Sequence, residues 1–332
     1  MSRIPERSEI EAAFEHTKAV SVETPILESA ALARRTGAAR VFVKPESLQR
    51  TGSFKFRGAY WRVQRLSDAE KARGVVAYSS GNFAQGLAAA AQMSGVPCTI
   101  VMPVDAPATK RAGAEAFGAR IVESDHGDRP REEVASALAQ QLAQDDGLTL
   151  LHPFDDPEIV TGQAAAGLEA IGQLQRIGAP MPESVLCCVG GGGLIGGVSL
   201  AFHYMAPAGQ VYGVEPEGYD GLGESLRRGD VTRVASGSGT ICDALQATAP
   251  GAAPFAAARR AGVEGIAVDD VSVRAAMRRA FEELKLVLEP SGAVALAALD
   301  TERARFQGQN VLVYATGGNI ALDDFIACIA AR

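Results

Sequence analysis

Short runs of β-branched and apolar residues alternate along the chain with helix-length, alanine-rich segments, the pattern of a parallel sheet covered by helices on both faces. The runs predict strands at Val41–Val43, Val75–Tyr78, Thr99–Met102, Arg120–Val122, Ser184–Val189, Val211–Glu215 and Val311–Tyr314. Helices are predicted between them, including Asn82–Met93, Arg131–Gln144 and one starting near Arg57. Strand–helix units recur between Gly74 and Leu151. A second set follows His152-Pro153, whose proline disfavours continuation of the preceding element. The expected architecture is α/β with two lobes, a small one at 70–152 and a large one formed by 1–69 and 153–332. The stretch Ser236–Pro254, rich in Gly, Ser, Ala and Pro, reads as an irregular connection, and no repeat of solenoid period is present.

A length of 332 residues suits two such lobes, and 47% hydrophobic with 21% charged residues is the composition of a folded soluble protein. The formal net charge of −7 supplies no broad basic face, which argues against nucleic acid as a partner. Cys98, Cys187, Cys188, Cys242 and Cys328 are odd in number and lack C-x-x-C spacing, so they read as reduced core residues of a cytoplasmic protein. The polar N-terminus lacks the apolar segment of a secretory signal, and no apolar run reaches the roughly 18 residues of a membrane span. None of His16, His126, His152 and His203 pairs at metal-ligand spacing, so none is assigned to catalysis.

Four motifs carry candidate chemistry. In Thr51-Gly52-Ser53-Phe54-Lys55-Phe56-Arg57-Gly58 a lysine stands between two aromatics beside a helix start. Apolar neighbours and the positive helix end both disfavour the ammonium and favour a neutral amine fit for imine chemistry. Taken alone, the same lysine also fits a snorkelling surface side chain. Ser79-Ser80-Gly81-Asn82 follows a predicted strand and opens a helix, where backbone N–H groups, the Ser80 hydroxyl and the Asn82 amide can dock a carboxylate; an ordinary N-cap is the competing reading. Gly190-Gly191-Gly192-Gly193, again between strand and helix, lets several amides converge on a phosphate. Gly191–Gly196 also satisfies G-x-G-x-x-G, with Glu215 at the end of the next predicted strand, so a nicotinamide dinucleotide (NAD) oxidoreductase is a second reading. Thr316-Gly317-Gly318-Asn319 places a hydroxyl at a strand end, where it can meet a ring nitrogen or simply belong to a turn.

These pieces, in this order and together with Thr24-Pro25-Ile26, His152-Pro153-Phe154-Asp155-Asp156-Pro157 and Glu289-Pro290-Ser291-Gly292-Ala293, resemble the fold type II pyridoxal-phosphate enzymes over nearly the whole chain. That fold is tryptophan synthase beta-like, and the likeness is specifically to the serine/threonine dehydratase and serine racemase group. The resemblance implies pyridoxal 5'-phosphate as cofactor, with Lys55 as its Schiff-base lysine. It places the phosphate on Gly190, Gly191, Gly192 and Gly193, the phenolic oxygen on Asn82 and the pyridine nitrogen on Thr316, with Phe54 and Glu289 also at the cofactor. A hydroxyl at the ring nitrogen, unlike a carboxylate, would not hold that nitrogen protonated.

The implied reaction is β-elimination from L-threonine or L-serine to a 2-oxo acid and ammonia, with the substrate carboxylate on Ser79, Ser80, Gly81 and Asn82 and the Cα proton taken by Lys55. In racemase relatives a serine at the place of Ser80 is a second acid/base, which keeps serine racemization open. Arg131 lies where a racemase arginine approaches a dicarboxylate, which keeps 3-hydroxyaspartate dehydration open; a solvated helix-start arginine is the other reading. Relatives also carry a divalent-cation site after a strand, and Glu215, Gly218 and Asp220 offer oxygens for Mg2+ or Ca2+ at a spacing one residue shorter. Phe83 and Phe154 stand where relatives have histidine and a polar residue respectively. A homodimer is implied by the relatives. The chain ends soon after the Thr316 loop, so isoleucine feedback through a C-terminal regulatory domain is not expected. A catalytically silent cofactor-binding protein is the remaining alternative.

Overall fold

Continuous apolar runs such as Val41-Phe42-Val43 and Val185-Leu186-Cys187-Cys188 leave no polar face for solvent, and the fold buries them on both sides. In the computed structural model the protein is described over residues 2–331 apart from 107, 128, 130, 208 and 236–238. The strands, among the described residues, are β1 (Leu27–Glu28), β2 (Arg40–Pro45), β3 (Val75–Tyr78), β4 (Cys98–Pro103), β5 (Arg120–Ser124), β6 (Thr149–Leu150), β7 (Ser184–Cys188), β8 (Gln210–Pro216), β9 (Glu264–Val268) and β10 (Asn310–Ala315). They form a six-stranded sheet in the order β1-β2-β10-β7-β8-β9 and a four-stranded sheet in the order β5-β4-β3-β6. Every pairing is parallel except β1 with β2. This is the mixed α/β, parallel-sheet class that the alternation of runs predicts.

The predicted strands match observed ones to within two residues at either end. β1 and β6 are two residues long and leave no readable run, while edge strand β9 exposes Glu264, Gly265 and Ala267 and so lacks an apolar signature. The helix Asn82–Met93 has the expected bounds, Arg131–Asp145 runs one residue further, and the helix expected near Arg57 starts at Lys55. Within Ser236–Pro254 a short 3-10 turn, Asp243–Leu245, and the start of the helix Ala252–Arg260 interrupt the irregular path; residues 236–238 lie outside the described ones. All five cysteines are free thiols, with Cys328 only half-buried, and among the described residues no helix is long and apolar enough to cross a membrane.

The four-stranded sheet packs one face on the alanine-rich helix Asn82–Met93 and on Phe56, Ala59 and Val63 of the helix Lys55–Gln64. Its other face, with Val76 and Val101, meets Ala135 and Ala139 of the helix Arg131–Asp145. The start of the Lys55–Gln64 helix is tied to the large sheet by a buried ionic network. Arg57 donates to Glu46 and Glu169, and Lys44 of β2 donates to Glu169 at 2.6 Å and to Gln173 at 2.8 Å. Each charge in the network has an opposite partner, as burial demands.

Candidate active site

The loops ending β2 and β10 are laced together by their backbones. Ser53 bridges to Gly317, the Phe54 N–H donates to the Thr316 carbonyl at 3.2 Å, and the Gly318 N–H to the Gly52 carbonyl at 3.0 Å. Thr51 holds φ at +62°, and the Asn319 side-chain amide reaches both its carbonyl, at 2.7 Å, and Asn82 Oδ1, at 2.8 Å. The loop after β3 is thereby joined to the other two. Asn82 in turn donates to Glu289 Oε1, and Glu289 Oε2 is buried with no partner among the described residues. Burial raises the Glu289 carboxyl to about 7, against the opposing pull of Lys110, Asn82 and Lys55.

Lys55 opens its helix half-buried, with Nζ donating to the Pro153 carbonyl at 3.2 Å and lying 5.1 Å from the Phe54 ring and 5.8 Å from Phe83. Desolvation lowers its pKa to about 8, with Cys188 and Glu289 opposing. The amine is therefore partly neutral near physiological pH. Phe83, unexpected at its place, forms part of that desolvating wall.

Gly190–Gly193 connect β7 to the helix Gly193–Met205, and Gly192 sits at φ +95°. What these glycines provide is room. A Cβ on Gly190 would lie 2.9 Å from the Ala244 carbonyl oxygen, on Gly191 2.2 Å from the Phe154 ring, and on Gly192 2.8 Å from Pro254. Phe154 thus lies over the glycine turn. The amides of that turn and the N-terminus of the following helix are groups that could hold an anion.

All three loops and the glycine turn line one cavity of about 200 Å3. Phe54, Lys55, Ser79, Ser80, Gly81, Asn82, Gly190–Gly193, Glu289 and Thr316 are all in its wall. Arg131 is not: it is exposed and pairs with Asp105 at 3.1 Å, while Ala135, one turn further along the same helix, does line the cavity.

The acids expected to hold a divalent cation are differently engaged. Both oxygens of Glu215 accept backbone N–H groups, from Leu222 at 2.8 Å and Gly223 at 2.9 Å, so it caps the helix Gly221–Arg228. Burial raises its carboxyl to about 8 in spite of those donors. Asp220 precedes that helix with Arg227 at 3.7 Å, and Gly218 turns the chain at φ +79°. Among the described residues no group of three or more His, Cys, Asp or Glu stands at metal-binding separation. Glu215 is buried and is not among the described residues that line the cavity at the glycine turn, which leaves a dinucleotide at Gly191–Gly196 without the acid it would require.

Several cavity residues carry no motif. Lys110 is buried and ion-paired with exposed Asp243 across the mouth, and Cys188 Sγ lies 3.1 Å from Thr316 Oγ1. Tyr78 Oη is 3.1 Å from His152 Nε2, while His152 Nδ1 accepts from the Asp155 N–H at 2.8 Å. Apart from the local His152–Asp155 bond, these contacts join residues more than seventy apart in the chain, so spacing could not reveal them.

A family profile described as "Pyridoxal-phosphate dependent enzyme" matches residues 20–317. The chain belongs to this family. Among its relatives is the L-threo-3-hydroxyaspartate ammonia-lyase of a Pseudomonas species, 38% identical over 318 residues that cover 96% of each protein. The L-threonine ammonia-lyase of Thermotoga maritima is 38% identical over 312 residues, covering 94% of this chain and 75% of that protein. Maize serine racemase superposes with a TM-score of 0.89 at 30% identity, covering 99% of this chain and 98% of that one. The fold is thus type II of the pyridoxal-phosphate enzymes. The cavity fits the family's cofactor on its own chemistry, with a desolvated amine, a glycine cradle that side chains would fill, and a buried carboxylate oxygen awaiting a partner.

Proposed function

We propose that the protein is an ammonia-lyase acting on a small β-hydroxy amino acid, L-threonine or L-serine, with pyridoxal phosphate held by Lys55. The observation that carries this is the convergence of the Lys55 amine, the Gly190–Gly193 cradle and the Ser79–Asn82 loop on one cavity. In this reading Gly190–Gly193 hold the phosphate, Asn82 the phenolic oxygen and Thr316 the ring nitrogen, with Phe54 and Glu289 completing the cofactor's surroundings. When bound, the cofactor supplies an electron sink that acidifies the Cα proton of an amine attached to it.

The protein's own residues do the remainder. Backbone N–H groups at the start of the Asn82–Met93 helix receive the substrate carboxylate. Lys55 Nζ, with its pKa near 8, moves the Cα proton, and Ser80, in the cavity wall, is the candidate for a proton on the other face. Phe54, Phe83 and Phe154 exclude water from the amine. The lobe at 70–152 is the substrate side, and it carries with it the helix Lys55–Gln64, whose apolar residues share its cluster. A homodimer and a cytoplasmic location, which five free thiols suit, complete the reading.

A second reading, 3-hydroxyaspartate ammonia-lyase, is favoured by Lys110. The ionic partner of this buried side chain among the described residues is the exposed Asp243, so a substrate's second carboxylate can take that place. The test is the visible absorption band of lysine-bound cofactor in wild type and Lys55→Ala, followed by 2-oxo acid release from threonine, serine and 3-hydroxyaspartate in turn. The band is expected in wild type alone, with turnover in the variant lower by on the order of 10^3-fold or more. A wild type that takes up no cofactor would sink the proposal.

A further inference from the structure

Cys188 ends β7 and Thr316 follows β10, its neighbour in the sheet; the register that sets Val313 beside Leu186 brings the two side chains together at the cavity wall. With Sγ and Oγ1 3.1 Å apart they share one hydrogen, and either atom can supply it. The two arrangements leave opposite faces of Thr316 toward the cavity. If Thr316 donates to sulfur, only its lone pairs are left for a ligand; if the thiol donates, the threonine O–H is turned inward.

The second arrangement needs a sulfur that keeps its proton and a ring nitrogen that accepts one. Burial pushes the Cys188 thiol up to about 11, despite Thr316 and Lys55 pulling the other way, so the S–H proton is retained at neutral pH. Glu289, the nearby carboxyl, accepts from the Asn82 amide at Oε1 and makes no hydrogen bond to Thr316 or Cys188 among the described residues. A cationic ring nitrogen at Thr316 would be desolvated without an acid beside it, which favours the neutral form that accepts a hydrogen bond.

We propose that Cys188 is a positioning residue whose thiol donates to Thr316 Oγ1 and so aims the threonine hydroxyl into the cavity, at an unprotonated ring nitrogen. This rests on the cofactor reading above. The S–H is a weak donor, so its effect is on direction more than on strength.

The test uses holoenzyme loaded with ring-15N-labelled pyridoxal phosphate, read by the nitrogen chemical shift and by cofactor dissociation constant. Wild type should show an unprotonated, hydrogen-bonded nitrogen. Cys188→Ala should move that resonance and weaken cofactor binding about three- to tenfold, the range of one neutral hydrogen bond. Cys188→Ser, which keeps a donor, should restore both, and Thr316→Val should lose as much as Thr316→Val with Cys188→Ala together. A protonated nitrogen in wild type overturns the proposal without any variant, as does an alanine variant unchanged in resonance and affinity. Wild type that binds no cofactor overturns the function reading and this proposal together, whereas a loaded wild type with an indifferent Cys188→Ala overturns this proposal alone.

Discussion

Lys55 is surrounded by desolvating groups rather than partnered by a base. Two aromatic rings and the Pro153 carbonyl replace water around Nζ, and the lowered pKa of about 8 follows from that desolvation. With Lys55 as the proposed Schiff-base lysine, only its neutral amine can attack the cofactor aldehyde, so the rate at which cofactor-free protein regains its absorption band should climb with pH and level off above about 8. A lysine in water would keep accelerating towards about 10. Stopped-flow absorbance across that range separates the two, and a rise that continues past pH 9 would count against the desolvated amine. Lys55, Asn82 and Thr316 stood out in the sequence because each sits in a short motif, Lys55 between a Ser/Gly turn and a helix start and the other two just after predicted strands, and all three line the cavity. Lys110, Asp243 and Cys188 were not, since their partners lie more than a hundred residues away and meet them only through strand register and lobe packing.

At the scale of elements, strand–turn–helix units set the site, and their turns are shaped by where a side chain cannot fit. Gly191→Ala would put a methyl group 2.2 Å from the Phe154 ring, so the turn or the ring must shift. Cofactor affinity should fall about tenfold or more, and the double change with Phe154→Ala should recover part of the loss, a coupling of roughly 0.5–3 kcal/mol by spectroscopic titration. No recovery would mean that the glycine is needed for its backbone alone. The strand–glycine–helix pattern was readable from the sequence, but the identity of the group above the turn was not. The same limit explains Glu215: its place at a strand end suggested a ligand, yet two N–H groups of a helix seven and eight residues on claim both its oxygens. Short β1 and β6 and the half-exposed edge strand β9 left no periodic signal to read.

At the scale of the molecule, the small sheet is carried on the helix Lys55–Gln64 and faces the large one across the cavity, where Lys110 and Asp243 pair. Lys110→Met should speed amide hydrogen exchange in the helix Ala108–Glu115 by about one and a half- to fivefold, the range for a partly screened ion pair of roughly 0.2–1 kcal/mol. Exchange in the helix Pro290–Thr301, packed on the large sheet, should not change; a rate in Ala108–Glu115 left unchanged by the substitution would show that the pair holds nothing across the mouth. Alternation of apolar runs had implied two parallel-sheet lobes, though the order of strands within each was beyond its reach. That order carries a consequence for synthesis. β10 lies between β2 and β7, yet it leaves the ribosome roughly 265 residues after β2. At about 5–20 residues per second the nascent chain waits on the order of tens of seconds, with the inner edges of β2 and β7 open to other strands. Protection of those edges by chaperones at the ribosome therefore bears on the yield of this protein more than on that of one whose last strand closes a sheet from outside.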